Sequence, residues 1–257
     1  MDRIRFDSVS KMFARKGGRK FLRAHLKELF GSRGAEGFYA LRDVSFTVPA
    51  GTGLAVVGAN GAGKSTLLNL ATRLCYPDAG HVEVNGRLAA ILDLGCGFHP
   101  DLTGAENLRV SASVFGLGRR RTRELFDPIV EFSGLGDFIH EPLSSYSAGM
   151  VARLAFSIVV QTDPEILLVD EVIAVGDQAF QAKCFERMMQ FRRAGTTIVC
   201  VSHSPELLRQ ICDRGILLER GRLVASGRLE EVLAAYAERS PAPVHAGTKP
   251  GSSRAAG

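Results

Sequence analysis

Gly58-Ala59-Asn60-Gly61-Ala62-Gly63-Lys64-Ser65-Thr66 packs three glycines, a lysine and two hydroxyls into nine residues. A short apolar strand, Leu54 to Val57, runs into it, and a helical pattern begins at Thr66-Leu67-Leu68. The spacing G-x-x-x-x-G-K-S between a strand and a helix is that of a phosphate-binding P-loop. Glycines let the backbone wrap so that successive N–H groups point at phosphate oxygens, and the following helix adds its positive end. Lys64 supplies a cation to the β- and γ-phosphates, and the Ser65 hydroxyl suits magnesium. Gly58, Asn60, Gly61, Gly63, Lys64, Ser65 and Thr66 are therefore expected to hold a nucleoside triphosphate.

Three further groups fit that chemistry. Ile166-Leu167-Leu168-Val169 ends in Asp170, a buried strand closing on a carboxylate, the Walker B pattern. Beside a P-loop such an acid stands where magnesium must sit. Glu171 follows at once, and two adjacent acids are costly unless something offsets their charge. Asp170 suits the metal's shell, and Glu171 suits a general base for the attacking water. Ser147 and Gly149 open a helix, with Gly149 lying 21 residues before Asp170. A hydroxyl and a glycine at a helix N-terminus make another place for an anion. His203 sits at the carboxyl end of strand Thr197–Ser202, the end at which open α/β sheets bind ligands.

Alternation and helical periodicity supply the elements that must hold these groups. Ile4–Ser10 and Ala40–Val48 alternate as half-buried strands. His81–Val84 and Leu88–Leu94 read as strands with a turn at Asn85-Gly86. Ala105–Phe115 and Arg121–Phe132 read as helices joined at Gly116-Leu117-Gly118, a helical subdomain over about residues 96–149 inserted into an α/β core. Helices Met150–Gln161, Gln178–Arg193 and Leu229–Arg239 and a hairpin of Ile216–Glu219 with Arg222–Ala225 complete the pattern. Residues 240–257, with three prolines and three glycines, read as a disordered tail.

Net charge is +5, but residues 11–33 hold eight Lys or Arg against Glu28, so the rest of the chain sums to −2. Basicity is local rather than a general affinity for nucleic acid, and no nucleic-acid partner is expected. Within that basic insertion, about residues 14–37, the set Phe21, Leu22, His25, Leu26, Leu29 and Phe30 forms one stripe of a helix, with Lys20, Arg23 and Lys27 off it. Two readings stand for it: a helix packed on its own domain, or one lying against a membrane or a membrane partner. The run Arg119-Arg120-Arg121 with Arg123 reads as a solvated helix start in preference to a binding patch. No apolar run approaches the ~20 residues of a membrane span, and no signal peptide opens the chain. Five scattered cysteines without C-x-x-C spacing suit a reduced, cytosolic chain with neither zinc nor disulfides.

The order and spacing of P-loop, Ser147/Gly149, Asp170-Glu171 and His203 resemble an ATP-binding cassette (ABC) nucleotide-binding domain over residues 1 to about 240. That resemblance implies an α/β P-loop NTPase core with an N-terminal antiparallel β subdomain and an inserted helical subdomain. It also implies a head-to-tail dimer in which Ser147 and Gly149 face a second copy's P-loop, a switch role for His203, and a D-loop at Val175-Gly176-Asp177. Asp170-Glu171-Val172-Ile173-Ala174-Val175-Gly176-Asp177 and the stretch from Leu94 to Asn107 look like the ATPases that export O-antigen, capsular polysaccharide or teichoic acid. In those proteins an N-terminal insertion recurs as a helix near the membrane partner.

Three features depart from the family or stay open. The signature has Ala148 for its first glycine and Met150 for its glutamine. No glutamine stands where the sheet meets the helical subdomain, and Asp93 is the nearest polar candidate for magnesium or water there. Phe13 is expected to stack on adenine, with Phe38 and Tyr39 as alternatives.

The resemblance implies an ATP-hydrolysing subunit, using ATP and Mg2+, peripheral on the cytoplasmic face of the inner membrane. It would act as a homodimer on membrane-embedded permease subunits to export a polysaccharide or lipid-linked glycan. The alternatives are an exporter of lipid or drug and a soluble cassette protein of DNA repair or ribosomes.

Overall fold

A computed structural model describes residues 1–14, 37–92, 97–170 and 176–239. The basic insertion, Asp93, Glu171 and the tail lie outside the described residues. Strands β1 (Asp2–Ala14), β2 (Gly37–Pro49) and β3 (Gly53–Val57) open the chain, followed by helix α1 (Lys64–Ala71). Then come β4 (Ala79–Val84), β5 (Leu88–Ile91), α2 (Gly104–Val114), α3 (Arg119–Ser133) and α4 (Ala148–Val159). The order closes with β6 (Ile166–Asp170), α5 (Gln178–Arg193), β7 (Thr197–Val201), α6 (Pro205–Ile211), β8 (Arg214–Glu219), β9 (Arg222–Arg228) and α7 (Leu229–Arg239).

The strands form two sheets: antiparallel β2-β1-β4, and β5-β6-β7-β3-β8-β9, parallel except for the final hairpin. Strands β3 and β7 are buried throughout, and β6 up to its final residue, and apart from Thr197 their buried side chains are apolar on both faces, as a doubly covered sheet requires. Leu54, Val56, Leu168 and Val199 face α1 and the small sheet, where Ile4, Phe6, Leu67 and Leu68 meet them. Ala55, Val57, Leu167 and Cys200 face the opposite layer, against Phe156, Phe180 and Met188. Helices α2 and α3 share a third cluster with α4 through Leu108, Ile129, Leu154 and Ile158. Helix α4 thus packs on the sheet with one flank (Phe156, Val159) and on the helical layer with the other.

The α/β class expected from sequence is observed, with three local differences. Helix α1 begins at Lys64, two residues before the apolar periodicity, because left-handed Gly63 (φ 110°) turns the chain directly into it. The Asn85-Gly86 turn does not join paired strands: β4 pairs with β1 in the small sheet and β5 with β6 in the large one. Period-two alternation marks a strand with one buried face, but it does not name the neighbour. Helix α6 was not read from the sequence, although Ser204 caps it and Pro205 occupies its first turn.

Candidate functional site

The C-terminal ends of β6, β7 and β3 are neighbours in the large sheet, and the P-loop, Asp170 and His203 all follow or end those strands. The P-loop's shape is forced by packing. Gly58 (φ 153°) leaves only 2.4 Å between a would-be Cβ and the Leu218 carbonyl. At Gly63 that distance to the Ala40 carbonyl is 2.5 Å. Neither place admits a side chain, so the loop is held against β8 and β2. Helix α1 begins with no side-chain cap on its N-terminal amides. Those amides and the helix's positive end are therefore available to an anion.

Lys64 Nζ donates to the carbonyls of Gly58 (2.7 Å) and Ala59 (3.1 Å), folding its ammonium over the loop's mouth. Ser65 Oγ lies 3.5 Å from Asp170 Oδ2. A hydroxyl and a carboxylate oxygen that close, beside a bare helix start, are the hard-oxygen donor pair magnesium takes alongside phosphate. His203 lies two residues beyond β7 and is exposed. Glu171 and Asp93, also expected in this chemistry, fall outside the described residues.

Lys64, Ser65 and Asp170 line one cavity of about 690 Å3, and His203 is not part of its lining. Its polar wall is Asn60, Gly61, Gly63, Lys64, Ser65, Thr66 and Asp170, and its apolar wall is Phe13, Phe38, Ala40 and Leu92. Phe13 and Phe38 lie on paired residues of β1 and β2 with ring centroids 6.1 Å apart. Tyr39 does not line the cavity and instead lies beneath the Arg42 guanidinium, 5.2 Å away. Of the three aromatics named from sequence, two rim the cavity together. Leu92 was not foreseen, and a lone leucine at a strand end gives no signal of such a place.

Ser147 and Gly149 stand apart from this cavity. Ser147 caps α4, accepting from the Met150 amide at 3.2 Å, and is exposed. A Cβ on Gly149 would meet nothing nearer than Ser147 Oγ at 3.8 Å. The approach to this helix start is anchored from behind by Tyr146, whose hydroxyl donates to the Phe138 carbonyl.

Arg153, one and a half turns into α4, was also unforeseen. Its Nε donates to the Ser133 carbonyl at 2.8 Å, and its guanidinium reaches Asp177 (3.7 Å) and the Phe180 ring (5.2 Å). It ties α4 to the end of α3 and the start of α5. The one available signal was a lone cation in an otherwise apolar helix.

Thr103 and Glu106 form a reciprocal capping box on α2. Those hydrogen bonds to the Thr103 amide and hydroxyl hold the Glu106 carboxyl below the usual range. Asn107, 1 % exposed, donates to the carbonyls of His99, Leu102 and Thr103 and accepts from the His99 amide. It fixes the turn that leads from the sheet to α2.

A family model described as ABC transporter matches residues 41–174. The O-antigen export system ATP-binding protein RfbB of Klebsiella pneumoniae is 46 % identical over 85 % of this chain and 89 % of its own. The teichoic acids export ATP-binding protein TagH of Lactococcus lactis is 42 % identical over 82 % of this chain and 45 % of its own. Among solved structures, the ATP-binding cassette MJ0796, a dimer bound to ADP and phosphate in a post-hydrolysis state, superposes with a TM-score of 0.70. It is 20 % identical over 88 % of this chain and 98 % of its own, a likeness of fold.

Proposed function

The chain belongs to the ABC transporter family, and from that premise we propose that it is the ATP-hydrolysing subunit of a glycan exporter. The reading of ATP hydrolysis rests on one observation above the rest. Lys64, Ser65 and Asp170 converge on one cavity, whereas the equally expected Ser147 and Gly149 lie outside it. In this reading Ser147 and Gly149 serve the P-loop of a second copy. The glycan reading, O-antigen, teichoic acid or a related polymer, rests on the export relatives.

In this account the adenine lies on the Phe13–Phe38 rim. The triphosphate enters the P-loop, where amides from Gly61 to Thr66 and Lys64 take up its charge. Ser65 and Asp170 would hold Mg2+, which when bound neutralises charge shared between the β- and γ-phosphates. Glu171 accepts the proton of the attacking water, and His203 orients the γ-phosphate. Ser147 and Gly149 of the second copy close the site, and Asp93 supplies the polar contact that glutamine makes elsewhere in the family.

Permease subunits are the second partner, with the protein peripheral on the cytoplasmic face of the membrane. No helix among the described residues is long and apolar enough to cross a membrane. The surface that suits a permease helix lies between β5 and α2, a 370 Å3 groove floored by Leu88, Ile91, Leu92 and Phe115. In its lining, Leu74 and Val114 are 73 % and 80 % exposed, apolar side chains that a partner helix would cover.

A host lacking this chain should lose its surface polysaccharide and retain polymer inside. Wild-type protein should restore export and Glu171→Gln should not. Restoration by Glu171→Gln, or normal surface polymer without the chain, would overturn the reading.

A further inference from the structure

Outside the P-loop cavity, the strongest unassigned feature is a 580 Å3 cavity between α2 and α3. Arg109 comes from α2, and Arg119 and Arg123 from α3, with Phe126 as an aromatic wall and Asp127 as the single acid. Its volume is within the range of small-molecule sites.

The basic run at residues 119–123 divides into two sets. Arg120 pairs with Glu124 at 3.0 Å, and Arg121 reaches Glu124 and Asp163 at 3.5 and 3.3 Å. Those two are the solvated helix start expected from sequence. Arg119 and Arg123 form no ion pair among the described residues. Arg109 forms none either and lies over the Phe126 ring, 5.7 Å away.

The backbone adds to the same field. Helix α3 starts at Gly118 with no side-chain cap and no acid in its first turn. Cations at the positive end of a helix are placed against the dipole, the reverse of the stabilising arrangement. A 15-residue helix that keeps Arg119 and Arg123 there without an ion pair among the described residues carries a local conflict, and an anion in the cavity resolves it. Guanidinium groups from two helices suit an oxyanion with several acceptors, since each offers a planar pair of donors.

We propose that this cavity binds a phosphate-bearing anion at a site separate from the P-loop. The proposal does not depend on the glycan reading. Its chemistry is shared by a free phosphorylated molecule and a lipid headgroup, and the test separates them.

Full-length protein with its P-loop saturated by ADP is titrated with inorganic pyrophosphate while backbone amide resonances are followed. Amides of Arg109, Arg119, Thr122 and Arg123 should shift along a saturable curve with a midpoint below about 1 mM. The double variant Arg119→Ala/Arg123→Ala should raise that midpoint at least tenfold, by about 1.4 kcal/mol, and leave the ADP titration unchanged. Arg120→Ala, which removes a paired arginine, should not move it.

A second arm sediments the protein with phosphatidylcholine vesicles with and without phosphatidylglycerol. Pelleting that needs phosphatidylglycerol and is lost in the double variant, without any pyrophosphate response, assigns the site to a headgroup. A pyrophosphate response alone assigns it to a free ligand. No saturable response to either probe, or responses equal in wild type and double variant, would overturn the proposal.

Discussion

The helix starts at Gly63 and Ser147 differ in how much room they leave. Around Gly63 the fold is closed: backbone oxygens of neighbouring strands crowd the loop, and Lys64 is bonded to its own loop carbonyls. Around Ser147 the fold is open, with a cap, an anchoring tyrosine behind, and free space at Gly149. A preorganised loop needs glycines at the positive-φ positions where its neighbours leave no room for a side chain. A surface that completes another molecule's site needs the opposite, an unobstructed face. In the proposed dimer, one chain presents a closed half-site at Gly63 and an open one at Ser147.

The same substitution in the two places should separate them most sharply. Gly63→Ala puts a methyl into backbone at positive φ, so nucleotide affinity should fall by about 10²-fold or more, measured by equilibrium binding. Gly149→Ala meets no obstacle and improves helix propensity by up to ~1 kcal/mol. Its melting temperature and nucleotide affinity should be unchanged or higher, while hydrolysis at high protein concentration falls about tenfold or more. If both variants lose affinity alike, the contrast between closed and open half-sites is wrong.

Ser147 can be divided into cap and contact. Ser147→Ala removes the cap and should cost about 0.5–2 kcal/mol of stability in denaturant unfolding. Ser147→Asn keeps a cap and should restore most of that stability, yet hydrolysis should stay low in both. Recovery of hydrolysis in Ser147→Asn would reduce Ser147 to a structural residue.

The rim of the closed half-site yields the smallest effects. Phe13→Ala and Phe38→Ala should each weaken ATP binding by about 3- to 10-fold, the scale of one aromatic contact. Tyr39→Ala, which removes a ring lying under Arg42 and outside the cavity, should leave affinity where it was.

The sequence made the closed half-site legible because its chemistry is contiguous. Nine successive residues carry the loop, and a continuous apolar run ending in Asp170 marks the strand beside it. The strand order that brings them together was not legible, since β3 and β6 are separated in the sheet by β7, a strand later than both. Phe13 and Phe38 are 25 residues apart in sequence, and only the β1–β2 register makes them one rim. Arg153 shows a second kind of blindness. Periodicity sorted α4 into an apolar helix, and the cation that ties it to α3 and α5 broke the pattern without saying what it touched. The arginines of α3 show a third, because composition cannot tell those with acidic partners from those that share a cavity.

The central claim is that two copies complete each other's sites. Glu171→Gln should slow hydrolysis by about 10²-fold or more and trap ATP, so the variant should sediment as a dimer with ATP and as a monomer without it. Adding Ser147→Asn should return it to monomer. A Glu171→Gln chain that stays monomeric with ATP at high concentration, or a dimer indifferent to Ser147, would contradict the account.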